Sequence, residues 1–332
     1  MKAAEAEAEG GPLASDPLVK AEAGGDPLVS GPLARSSALP SGMAKALREI
    51  RQDTRSGAAE LAQQGAKLLL DALKQGRGDE IRTLARALID AQPAMAPMVN
   101  LVNHLFHAIS SIQDPQAIKE KGRVAVQGFL DTLRTASEKI RGHALPLLKG
   151  KRRVMTHSYS STVLGVLVGA KGIEVICPES RPLAEGLRTA KALGEKGIRV
   201  RLVADFAALS LVGESDLVMT GADAITLEGV VNKIGTYGLA LAAREKKIPF
   251  YVLAGTEKFL PPPLSKALRI EKKDPQEITQ ETIPNVVVEN CYFDFTPLDL
   301  VTGVVTQHGV IAGDEVRKQL EGMRISEGLK EL

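Results

Sequence analysis

At residue 153 the hydrophobic period of this chain changes, and that change restricts the fold more than any other feature. Upstream, apolar residues recur at spacings of three and four over residues 44–50, 58–74, 80–91 and 97–109, and again from 115 to 141. This is the pattern of amphipathic helices. Gly76 and Gly78 interrupt it, Asp79 and Asp114 stand where N-caps belong, and Pro115 suits a first helical turn. Downstream, short apolar runs at 153–156, 174–177, 199–204, 216–220, 250–253 and 286–288 alternate with helical segments. The switch predicts an α/β protein: a helical domain over 41–150, then a doubly wound, Rossmann-like parallel sheet with right-handed crossovers over 151–315. Residues 316–332 are expected as a polar helix or tail.

Residues 1–40 belong to neither part. Asp16-Pro17-Leu18-Val19 recurs as Asp26-Pro27-Leu28-Val29, and Gly11-Pro12-Leu13-Ala14 recurs as Gly31-Pro32-Leu33-Ala34. Without aromatic residues such a segment cannot bury enough surface to offset its ordering entropy, so a disordered tail is expected. A docking motif built on the repeated Pro-Leu is the alternative.

Composition excludes several functions. A net charge of +2 gives no global electrostatic case for nucleic acid, and 3% aromatic residues give no base-stacking platform. No apolar run reaches the ~18 residues that span a bilayer, and the acidic N-terminus lacks an apolar leader core. A cytoplasmic protein without membrane contact is expected. Cys177 and Cys291 lie in apolar, strand-like runs and read as structural thiols. His104 and His107 lack a third ligand nearby and read as structural, so no metal or cofactor is expected. There is no phosphate-loop motif and no G-x-S-x-G elbow, and Gly165, Gly169 and Gly172 do not form a dinucleotide fingerprint.

In an open α/β sheet, ligands bind outside the carboxyl ends of the strands. Ser158 follows the first predicted strand, Glu179 and Arg181 the second, Asp205 the third and Asp223 the fourth. Asn232, Lys233, Gly235 and Thr236 lead into a helix expected over 237–246. Gly235 permits close approach of a ligand to the backbone. Thr236 is the expected cap, and the free N–H groups of that helix, with Lys233 beside them, form an anion cradle. Lys233, Arg181 and Arg55 are candidate phosphate contacts. Blander readings stand beside these: Arg55 as a solvated helix residue, Arg181 paired with Glu179, Asp223 paired with Lys233, and Asp294 capping a helix that begins at Thr296-Pro297.

The same residues carry a family likeness. Gly221-Ala222-Asp223, then Asn232-Lys233-Ile234-Gly235-Thr236-Tyr237, a helix, and Pro249-Phe250-Tyr251-Val252 resemble the α/β/δ subunits of translation initiation factor 2B. That superfamily also holds isomerases of methylthioribose 1-phosphate and ribose 1,5-bisphosphate. Arg55-Ser56-Gly57-Ala58, Pro93-Ala94-Met95-Ala96, Thr156-His157-Ser158-Tyr159-Ser160-Ser161, Glu179-Ser180-Arg181-Pro182 and Phe293-Asp294-Phe295-Thr296-Pro297 match in order. The likeness spans residues 43 to 311. It implies a phosphorylated sugar or nucleotide held by Arg55, Gly57, Ser158, Glu179, Arg181, Asp223, Asn232, Lys233, Gly235 and Thr236, with Asp223 and Glu179 accepting sugar hydroxyls. It also implies self-association through the α/β domain, as a dimer or larger even-numbered assembly, with residues 298–305 supplying contact area.

In the isomerase branches the turn after the first strand reads Thr-His-Cys, and its cysteine resembles one half of a proton-transfer pair with the aspartate of Gly-Ala-Asp. Here Asp223 is kept and Ser158 stands in the cysteine's place. A serine hydroxyl is far less acidic than a thiol. His157 is adjacent, but consecutive side chains on an extended segment face opposite ways. Losing one acid–base group costs ~10²–10⁴ in rate. The expected function is therefore a noncatalytic, initiation-factor-2B-like regulatory or assembly subunit, most like the archaeal proteins of that kind, with initiation factor 2 or other factor subunits as protein partners. The alternative is an aldose–ketose isomerase of ribose phosphates that works without the cysteine.

Overall fold

The structure, a computed structural model, describes residues 39–75, 78–265 and 268–330; the side chains of 78 and 79 are not described. The repeats within residues 1–38 and the break at Gly76 lie outside the described residues, and the expected Asp79 cap turns on a side chain that is not described.

Helices α1 (Ser41–Gln52), α2 (Ala58–Lys74), α3 (Gly78–Ala91), α4 (Ala96–Ile109) and α5 (Pro115–Ala144) form the N-terminal region. Their apolar stripes converge on one core that includes Leu61, Leu69, Leu84, Leu101 and Phe106. Asp114 caps α5 by accepting from the Ala117 N–H at 2.8 Å, with Pro115 in the first turn. At 30 residues α5 is about 45 Å long. Its Phe129 and Leu133 pack into the helical core, and its Ile140 and Ala144 into a core of the sheet.

The main sheet has strands β1 (Arg153–Met155), β2 (Glu174–Pro178), β3 (Arg199–Val203), β4 (Leu217–Thr220), β7 (Phe250–Leu253), β9 (Gly303–Thr306) and β10 (Gly309–Ile311) in the order β10-β9-β7-β4-β1-β2-β3. Every pairing is parallel except β10 with β9. Helices α6 (Ser161–Gly169), α7 (Glu185–Gly194), α8 (Asp205–Leu211) and α9 (Thr236–Lys246) connect its strands. The short α10 (Pro262–Ser265), α11 (Gly313–Glu321) and α12 (Glu327–Lys330) follow, and α11 buries Val316 and Leu320 in a sheet core. Among the described residues no helix is long and apolar enough to cross a membrane.

Three expectations fail. Residues 286–288 form no strand: the segment follows a turn through Asn285 at φ 59°, finds no ladder partner, and leaves Val287 86% exposed. Thr296-Pro297 ends a strand rather than starting a helix, because β5 (Ala224–Ile225), β6 (Gly229–Lys233) and β8 (Phe293–Pro297) form a second, antiparallel sheet. Residues 298–305 offer no interface, since Leu298, Val301, Val304 and Val305 are buried against their own chain.

Candidate functional site

A cleft of about 350 Å³ opens where the helical region meets the carboxyl rim of the sheet. The turn after α1 lines one side with Arg51, Asp53, Arg55, Ser56 and Gly57; Ser158, Glu185, Asp223, Asn232, Lys233 and Lys258 line the other. Arg55, Gly57, Ser158, Asp223, Asn232 and Lys233 are thus brought together as the sequence reading grouped them. Glu179, Arg181, Gly235 and Thr236 lie outside the lining. Arg181 is exposed, with its guanidinium donating to the Glu277 carbonyl at 3.2 Å and its N–H to Asp205 at 2.8 Å, and no ion pair joins it to Glu179 among the described residues. Glu179 continues the sheet through its N–H to the Val203 carbonyl.

The anion cradle expected at the start of α9 is already filled. Asp294, reaching over from β8, accepts from the N–H groups of Gly235 at 2.7 Å and Tyr237 at 3.1 Å. Thr236 is not the cap; its hydroxyl donates to the Lys233 carbonyl and accepts from Asn232. Burial pushes the Asp294 carboxyl up to about 6, against the pull of those backbone bonds, and its Oδ1 is buried without a partner. Gly235 takes φ +102°, and a Cβ there would lie 3.3 Å from His157 Nε2, so the close approach it permits is to an internal imidazole. Lys233 is not free either. It is 5% exposed, forms an ion pair with Glu185 at the first position of α7, and lies over the rings of Tyr292 and Phe293 at 4.7 and 5.7 Å. The alternative Asp223–Lys233 pair does not form.

A different helix start borders the cleft, and sequence reading did not mark it as a helix end. Helix α2 begins after Gly57 with no side-chain cap, and its first residues line the cleft beside Arg51 and Arg55. A helix start without a capping side chain leaves N–H groups and the positive end of the dipole to the cleft that Arg51 and Arg55 also line. Asp53 shapes the approach by accepting from the N–H groups of Arg55 and Ser56. The available signal was the absence of a capping side chain at Gly57.

Ser158 occupies the left-handed region at φ 61°. Its N–H donates to Ser180 Oγ at 2.9 Å, and its carbonyl accepts from the Thr189 hydroxyl at 2.7 Å. His157 makes its side-chain hydrogen bonds elsewhere, to Ile234 and Ser180. A carbonyl can only accept, so His157 Nε2–H donates to Ile234 at 2.8 Å, which leaves Nδ1 to accept from the Ser180 hydroxyl at 3.3 Å. Burial lowers the imidazole's proton affinity, and nothing in this arrangement makes it a base for Ser158. Asp223 follows β4, where Gly221 lets Ser160 approach within 2.7 Å of the place a Cβ would take. Burial pushes the Asp223 carboxyl up, opposed first by Lys258 and then by Lys233.

The sequence profile of the initiation factor 2 subunit family matches residues 36–313. The chain belongs to that family. A ribose 1,5-bisphosphate isomerase of Archaeoglobus fulgidus is 34% identical over 282 residues, covering 80% of this chain and 88% of that protein. A methylthioribose-1-phosphate isomerase of Serratia proteamaculans is 36% identical over 277 residues, covering 76% and 80%. The crystal structure of the Pyrococcus horikoshii OT3 translation initiation factor eIF-2B superposes with a TM-score of 0.73 at 32% identity, covering 82% of this chain and 98% of that one. The family therefore contains both factor subunits and isomerases. Outside the cleft, the His104 ring packs 6.2 Å from Phe129, His107 reaches the Arg324 carbonyl, and burial pushes the Cys177 thiol up to about 12.

Proposed function

We propose that this family member is an aldose–ketose isomerase of a phosphorylated ribose, the alternative of the two sequence readings. The observation that carries it is Asp223. It lines the cleft just beyond the carboxyl end of β4, where a carboxyl can meet the reacting carbons of a bound sugar, and burial raises its proton affinity. The α2 N-terminus with Arg51 and Arg55 suits one phosphate. The identity to named isomerases of both substrates supports the isomerase reading.

A second reading, a noncatalytic subunit that binds the ligand and partners initiation factor 2 or other subunits, is favoured by Ser158. Self-association belongs to both readings. The test is NMR of the protein with ribose 1,5-bisphosphate and with methylthioribose 1-phosphate. Ketose phosphate should form from the bisphosphate and not with Asp223→Asn. Binding without turnover would select the second reading.

A further inference from the structure

This inference rests on the isomerase reading. If Ser158 does not ionise, proton transfer at the sugar needs a partner for Asp223 from elsewhere in the cleft. Most of the lining cations have other engagements. Arg51 donates to the Asp90 carbonyl, Lys233 pairs with Glu185, Lys273 pairs with Glu271, and Arg55 is exposed at the mouth. Lys258 differs. It is 6% exposed, lines the cleft and has no ion-pair partner among the described residues.

The fold sets it beside Asp223. Strands β4 and β7 are parallel neighbours, so the turns that leave them share one rim. Asp223 follows β4, and Lys258 lies in the 3-10 turn Thr256–Lys258 after β7. Helix α4 then pins both. The Ala96 N–H donates to the Asp223 carbonyl at 3.1 Å. One helical turn on, the buried Asn100 amide donates to the carbonyls of Glu257 and Phe259, each at 2.7 Å, on either side of Lys258. Positions i and i+4 of one helix face thereby fix the two groups relative to each other. Lys258 is also the charge that acts most strongly on the Asp223 carboxyl.

We propose that Asp223 and Lys258 are the acid–base pair of this site, with the lysine ammonium doing the work of the absent thiol. With an aldose 1-phosphate in its ring form, the Asp223 carboxylate takes the proton from C2. The C1–C2 double bond forms, the bond from C1 to the ring oxygen breaks, and Lys258 protonates that oxygen. The Asp223 carboxylic acid then returns its proton to C1, while the Lys258 amine takes the proton of the C2 hydroxyl as the C2 carbonyl forms. Both groups end as they began, and no oxidant, reductant or cofactor enters. Asn100 is a positioning residue for Lys258.

The experiment is steady-state turnover of ribose 1,5-bisphosphate, read by NMR, for the wild type, Lys258→Ala, Lys258→Arg and Ser158→Ala. Lys258→Ala should lose ~10²–10⁴ in kcat with KM changed less than about threefold, at least tenfold more than Ser158→Ala loses. Added methylammonium should restore part of the Lys258→Ala rate, which a merely structural lysine would not show. Lys258→Arg keeps the charge and, with a phosphate-induced rise in melting temperature, shows that the site still folds; its rate should stay low. Lys258→Ala turnover near wild type, or a loss that methylammonium leaves untouched, overturns the assignment alone. A wild type without turnover overturns the isomerase reading and this assignment with it.

Discussion

Lys233, read as a phosphate contact, and Asp294, read as a helix cap, both answer groups of the protein itself. Lys233→Ala leaves the Glu185 carboxylate buried with neither oxygen paired, since Oε2 already lacks a partner. Removing one member of a buried ion pair costs about 3 kcal/mol or more, and denaturant titration should show a loss of that size. The double variant Glu185→Gln/Lys233→Met should recover most of it. Asp294 gives a pH signature. Its folded carboxyl titrates at about 6, above its unfolded range, so the folded state binds its proton more tightly. Its contribution is therefore fully present below the unfolded pKa and is lost as pH rises through the folded one. Asp223 and Glu257, also raised by burial, add the same sign. Melting temperature measured from pH 4 to pH 7 should fall less steeply in Asp294→Asn than in the wild type. The sequence revealed that these charges gather at one rim. It did not reveal their partners, because Glu185 and Asp294 reach Lys233 and Gly235 from segments distant in the chain.

At the scale of elements, legibility followed length. Helices α2, α4 and α5 repeat their apolar stripes over enough turns to be recognised. Strands β5 and β6 are short and buried on both faces, so no alternation marks them. The valine triplet at 286–288 has strand composition and no neighbour to pair with, which propensity alone cannot reveal. The start of α2 supplies the element-level test. Gly57 sits at φ −73°, and a Cβ there meets nothing within 4 Å, so Gly57→Asp fits without strain. The new carboxylate would cap the helix and occupy its N–H groups, stabilising the unliganded protein by about 1 kcal/mol. Thermal melts should show a higher melting temperature without ligand and little further rise on adding phosphate. A phosphate shift undiminished in Gly57→Asp would place the anion elsewhere.

Across the whole molecule the two regions are not separable bodies. Ala224 and Val231 of the second sheet belong to the helical core, where Phe293 and Phe295 also pack, and α5 runs from that core to the main sheet. Heating should therefore unfold the chain in one transition, with calorimetric and van't Hoff enthalpies equal. Two resolved transitions would mean that the cleft joins parts able to fold alone. The cleft walls come from the helical region and from the rim of the sheet, so its geometry depends on this coupling and not on any one loop.

His157 ties the turn bearing Ser158 to the turn bearing Lys233 through Ser180 and Ile234. The chain has five histidines, so an imidazole nitrogen spectrum would be sparse enough to assign. His157 should appear as a neutral ring protonated at Nε2, with that proton slow to exchange. Because each end of its hydrogen-bond chain sits beside a cleft residue, its resonance can serve as an internal gauge of occupancy, readable without a label on either wall.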